Sequence, residues 1–100
     1  MRIAVVGSKN FTLGFRLAGV RIFREVSTPE EMEKSIKEIM RDESIGILIA
    51  EGRIAEKMSR EFRREIEESL EPIVMIIGGE AGIESLRERI RLSVGVDLWK

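Results

Sequence analysis

Ile3-Ala4-Val5-Val6-Gly7-Ser8 decides the fold. Its four consecutive apolar residues predict a strand with both faces covered, the situation of a parallel strand sandwiched between helices. Gly7-Ser8 then ends it. Working outward, Val20-Arg21-Ile22-Phe23 is a more mixed strand that suits a sheet edge and closes at Val26-Ser27, Ile45 to Ala50 is apolar throughout except for Gly46, and Ile73 to Ile77 is a fourth run. Longer charged segments separate these runs, and that alternation is the signature of strand–helix–strand units around a parallel sheet.

The segments between the runs read as helices. A short one is expected from Phe11 to Leu17, broken by Gly19. Thr28-Pro29-Glu30-Glu31 starts the next: Thr28 caps, Pro29 brings the φ that the first helical position needs, and Glu31 is placed to bond back to the cap's amide. Met32, Ile36, Ile39 and Met40 then stack on one face of a helix ending near Asp42. From Arg53 to Leu70, apolar Ile54, Met58, Phe62, Ile66 and Leu70 recur every four residues in a charged background, which predicts one amphipathic helix stopped by Pro72. Gly78-Gly79 turns the chain, and a last helix begins near Ala81 or Gly82. Right-handed crossovers leave a four-stranded parallel sheet in the order 2-1-3-4 as the simplest arrangement, with helices on both faces: a Rossmann-like or receiver-like α/β domain. Residues 1–80 form its body and 81–100 a C-terminal helix and tail of the same single domain, which suits a chain of 100 residues.

Composition excludes much enzymology. The chain has no cysteine or histidine, so thiolate or imidazole metal sites, a cysteine nucleophile, disulfides and a histidine base are all ruled out. With 17 Lys+Arg against 18 Asp+Glu, the formal net charge of −1 offers no field to draw in nucleic acid or an anionic membrane surface. No apolar run approaches the roughly 20 residues that span a bilayer, and the start lacks a signal-peptide layout, so a cytosolic protein without membrane insertion is expected. Charged residues make up 35%, Gln is absent and Asn10 stands alone, a pattern shared with proteins of thermophiles.

The loops at the carboxyl ends of the strands are where ligands sit in such folds, and none carries a recognisable site. Gly7-Ser8-Lys9-Asn10-Phe11-Thr12-Leu13-Gly14 has neither the glycine spacing of a dinucleotide site nor that of a phosphate loop. A phospho-acceptor receiver needs carboxylates after the first strand and an Asp after the third, where this chain has Gly7-Ser8-Lys9 and Glu51-Gly52. Glu51 and Glu80 both follow strands, but solvated surface charge is favoured over a catalytic pair. The Arg-rich stretches at 60–65 and 87–91 mix both signs, as ion-paired helix faces do. No catalytic residue, metal ligand or cofactor site is expected.

The C-terminal segment carries the positive signal. On a helix turning about 100° per residue, Ile83, Leu86, Ile90 and Val94 share one face, able to dock on the sheet, while Leu92, Val96 and Trp99 project from the opposite one. One small domain does not readily bury both, so the second stripe, with the only tryptophan, is a candidate partner site. The alternative is that Gly95 ends the helix and Val96 to Trp99 fold back on the domain. Gly14, Ala18 and Gly19 in the first helix are small enough to admit another backbone, and packing inside the domain accounts for them equally well.

Gly14-Phe15-Arg16-Leu17-Ala18-Gly19-Val20, directly after the first strand and its loop, resembles the hallmark segment of the F subunits of A-type ATP synthases and their V-type relatives. The resemblance spans the whole chain: Ile47-Leu48-Ile49-Ala50-Glu51 is similar to the family's third strand and Val94-Gly95-Val96-Asp97-Leu98 to its terminal helix. Two departures stand out, Gly78-Gly79 where the family leads one to expect a proline, and Gly52 after Glu51. The resemblance implies a non-catalytic component of the central rotor stalk, attached to the D subunit of the shaft inside the catalytic head of A and B subunits, with a mobile C-terminal helix that reaches toward B. It implies coupling of ATP synthesis or hydrolysis to proton or sodium translocation, modulation of ATP hydrolysis, and a peripheral place at the cytoplasmic face of the cell membrane. It further implies that Gly14, Phe15, Leu17 and Ala18 lie near the shaft contact, and that Leu92, Val96 and Trp99 serve the catalytic-head contact. A pseudo-receiver adaptor in signalling is the alternative from another class, and a nucleotide-binding enzyme the third.

Overall fold

The computed structural model describes residues 1–78. The expected C-terminal helix, with Leu92, Val96 and Trp99, lies outside the described residues. Four parallel strands, β1 (Arg2–Gly7), β2 (Ile22–Glu25), β3 (Ile45–Glu51) and β4 (Ile73–Ile77), form one sheet in the order β2-β1-β3-β4. This is the expected order. Register sets which residues share a face: Ala4 lies opposite Ile22 and Leu48, and Leu48 opposite Val74. Those residues, with Val6, Ala50 and Ile76, face the main core.

That core is closed by three helices. In α2 (Pro29–Met40), Met32, Ile36 and Ile39 are buried as the spacing predicts, with Met40 half-buried beside them. Burying each such side chain fully contributes about 1.5–3 kcal/mol. The cap is as read, with Thr28 Oγ1 accepting the Glu31 N–H at 3.1 Å. The Glu31 carboxylate accepts from the Ser27 and Thr28 hydroxyls rather than from the cap's amide.

The single helix expected from Arg53 to Leu70 is two: α3 (Gly52–Ala55) and α4 (Arg60–Glu67). The reason is geometric. A stripe repeating every four residues drifts by about 40° per step on an α-helix, or about 160° from Ile54 to Leu70, so one straight helix cannot keep it on the sheet. The chain turns at 56–59, and Ser59 Oγ accepts the Phe62 N–H at 3.3 Å to start α4 afresh. Met58, Phe62 and Ile66 stay buried. Leu70 has left the helix and is exposed. Lys37 Nζ lies 5.4 Å from the Phe62 ring centre and joins α2 to α4.

The opposite face of the sheet carries α1 (Lys9–Leu17), as right-handed crossovers require. Gly52 is explained at the carboxyl end of β3. A Cβ there would stand 2.1 Å from the Gly78 carbonyl oxygen, so only glycine lets the strand ends approach. At the other end, Asp42 accepts the Ser44 hydroxyl and N–H, which hold its carboxyl below the ordinary value.

Candidate partner-binding surface

α1 carries a local signal at each end. Ser8 is its cap, with Oγ 3.4 Å from the Phe11 N–H. At the other end Gly19 adopts φ +107°, and the Gly19 and Val20 N–H groups donate to the carbonyls of Arg16 and Phe15. This double bond pattern is the Schellman closure that a left-handed glycine permits. Thr12 is fully buried and donates to the Lys9 carbonyl. Phe11 and Phe15 rings lie 5.1 Å apart. Arg16 lies 4.2 Å from the Phe23 ring centre and pairs with Glu25 at 3.5 Å, fastening the helix to edge strand β2.

The outer side of α1 is apolar and bare. Leu17 is 81% exposed and Leu13 43%. Gly14 lies between them in sequence, and a Cβ added to it would meet nothing within 4 Å. A glycine inside a helix costs roughly 0.5–1 kcal/mol relative to alanine, and the packing of the described residues gives no reason for it here. Of the residues expected at a contact, Gly14, Leu17 and Ala18 are exposed, while Phe15 is half-buried against Phe11 and supplies the carbonyl that closes the helix. Leu13 escaped the sequence reading. Its i, i+4 relation to Leu17 was the signal that could have found it.

A second apolar area lies on the same face of the sheet. Register aligns Phe23, Val5, Ile49 and Met75 in one row and Ile3, Ile47 and Ile73 in the next. α1 packs over the β1–β2 half. Across the other half Ile73, Met75 and Ile77 are 53%, 46% and 39% exposed, so the described residues leave a large part of that face uncovered. An apolar area of this kind suits the docking of another element or of a partner.

The strand ends hold no receiver-type acidic pocket among the described residues. Glu51 is no free surface charge: its Oε1 accepts the Ser8 N–H at 2.7 Å. Glu80, the other carboxylate read as following a strand, lies outside the described residues. No group of three or more His, Cys, Asp or Glu able to hold a metal ion occurs among the described residues, and no helix there is long and apolar enough to cross a membrane.

Comparison with known proteins converges on one family. The family described as ATP synthase (F/14-kDa) subunit matches residues 3–94. The F subunit of the A-type ATP synthase of Archaeoglobus fulgidus is 40% identical over 99 residues, covering 99% of this chain and 98% of its own. That of Methanocorpusculum labreanum is 43% identical over 100 residues, the full length of both. Among solved structures, the F subunit of the V-type ATP synthase from Archaeoglobus fulgidus superposes with a TM-score of 0.68 at 35% identity, over 77% of this chain and 96% of that one.

Proposed function

The chain belongs to the family of ATP synthase (F/14-kDa) subunits, and from that premise we propose that it works by contact alone, as a central-stalk component that grips the D subunit of the shaft with the outer face of α1. The observation that carries this is Gly14. A helical glycine with open space around it, flanked by exposed Leu13 and Leu17, suits a helix against which another backbone comes close. Knobs such as Leu13 and Leu17 then fit the grooves of a long partner helix.

The open half of the sheet extends the reading. Ile83, Leu86, Ile90 and Val94 are the chain's own apolar complement to Ile73, Met75 and Ile77, and Leu92, Val96 and Trp99 are left to meet the A and B subunits of the catalytic head. In this role the protein carries no reaction of its own. It transmits rotor position between ATP chemistry in the head and proton or sodium movement in the membrane, and it modulates ATP hydrolysis, as a peripheral component on the cytoplasmic side.

The test is binding of the purified shaft protein, the D subunit, by calorimetry. Gly14→Ala should stabilise the isolated chain by about 0.5–1 kcal/mol, since the helix gains and nothing is crowded. Gly14→Leu should leave the fold intact yet weaken binding at least tenfold. Undiminished affinity in Gly14→Leu would place the shaft contact elsewhere.

A further inference from the structure

We propose that Glu51 is a positioning residue for the contact face of α1: its carboxylate, carried on the end of β3, sets the entry of that helix and so the presentation of Leu13, Gly14 and Leu17. This rests on the reading of α1 as the shaft contact. The proposal starts from what α1 lacks. α2 has Glu30 and Glu31 in its first turn and α4 has Glu61, whereas the first turn of α1 has no acidic residue and begins with Lys9. A cation at the amino end of a helix opposes the helix dipole, and a carboxylate there is favourable. In a capping box a Glu three residues after the cap bonds back to the cap's amide. Three residues after Ser8 stands Phe11, whose ring is engaged with Phe15.

Glu51 supplies the missing group from a distance of 43 residues in sequence. Its partner across the sheet, Ile77, lies on the face that carries α1. Its Oε1 accepts the N–H of the cap residue itself at 2.7 Å, the short end of charge-assisted hydrogen bonds. The joint has little slack. A Cβ on Gly7 would stand 2.6 Å from the Phe11 ring and 2.9 Å from Glu51 Cβ, so strand end, helix entry and carboxylate are already packed together. On its other side Glu51 is followed by Gly52, pressed against the Gly78 carbonyl where the described chain ends. One two-residue corner therefore fixes both the start of α1 and the exit of β4.

A merely stabilising residue would change the melting temperature and leave the affinity of the folded chain alone. Binding of the purified D subunit is therefore measured for the unaltered chain, Glu51→Ala and Glu51→Gln at a temperature where circular dichroism shows each fully folded, with the Ser8 amide resonance followed by NMR. Glu51→Ala should bind roughly tenfold more weakly, because the charge-assisted bond that holds the helix entry is gone. Glu51→Gln, whose amide oxygen still accepts, should recover to within about threefold. Should Glu51→Ala fail to fold, Glu51→Asp replaces it: one methylene shorter, it draws the oxygen away from Ser8 and should weaken binding likewise. Unaltered affinity despite a shifted Ser8 resonance overturns this proposal alone. Failure of the unaltered chain to bind the shaft protein overturns the proposed function and takes this one with it.

Discussion

Two glycines of this chain are there for opposite reasons. Gly14 has nothing within 4 Å of the place a Cβ would take, whereas at Gly52 the Cβ would stand 2.1 Å from a backbone carbonyl oxygen that has no rotamer to escape into. Gly52→Ala must part the ends of β3 and β4, and overpacking of this kind costs about 1–3 kcal/mol. Urea unfolding should show that loss as a lower midpoint with an unchanged slope; a variant as stable as its parent would mean that the two strand ends do not touch in solution. From the sequence, Gly52 was only a departure from the family pattern and Glu51 only a charge. Neither reading was avoidable. The partner of Glu51 is Ser8 and the partner of Gly52 is Gly78, and contacts across the ends of a parallel sheet leave no periodicity in the chain.

Among the elements, α2 was legible from its start signal, and the break between α3 and α4, decided by long-range fit, was not. Thr28-Pro29 placed α2 because the cap and the fixed φ act within one turn. The split between α3 and α4 was hidden, because Ile54, Met58, Phe62 and Ile66 continue one stripe through it and only the sheet beneath exposes their drift. Ser59 was the available clue, a residue that competes for backbone groups and favours helix starts. Ser59→Ala should therefore destabilise by about 1 kcal/mol and speed amide exchange in the first turn of α4, with Phe62 N–H affected most, since it donates to the Ser59 hydroxyl. Equal exchange rates in the variant would show that α3 and α4 behave as one continuous helix, as the stripe first suggested.

At the scale of the molecule, the described residues finish one face of the sheet and leave the other open. Ala4, Val6, Leu48 and Ala50 are sealed under α2, α3 and α4. On the other face Val5 and Ile49 are buried, while Ile73, Met75 and Ile77 stay exposed. Strand order and handedness were readable because four apolar runs joined by right-handed crossovers admit few arrangements. The unevenness of the two faces was not, since Ile73-Val74-Met75-Ile76-Ile77 looks equally apolar on both sides. On the proposed function, stability and function divide along the chain. A chain ending at Arg91, without Leu92, Val96 and Trp99, keeps the whole described core and should unfold cooperatively, within about 1 kcal/mol of full length. Added to a complex of A, B and D subunits that lacks this protein, it should still bind D through α1 but alter ATP hydrolysis much less than the full chain. A shortened chain that unfolds would make the tail part of the core; one that folds and regulates hydrolysis as fully as its parent would take Leu92, Val96 and Trp99 out of the catalytic-head contact.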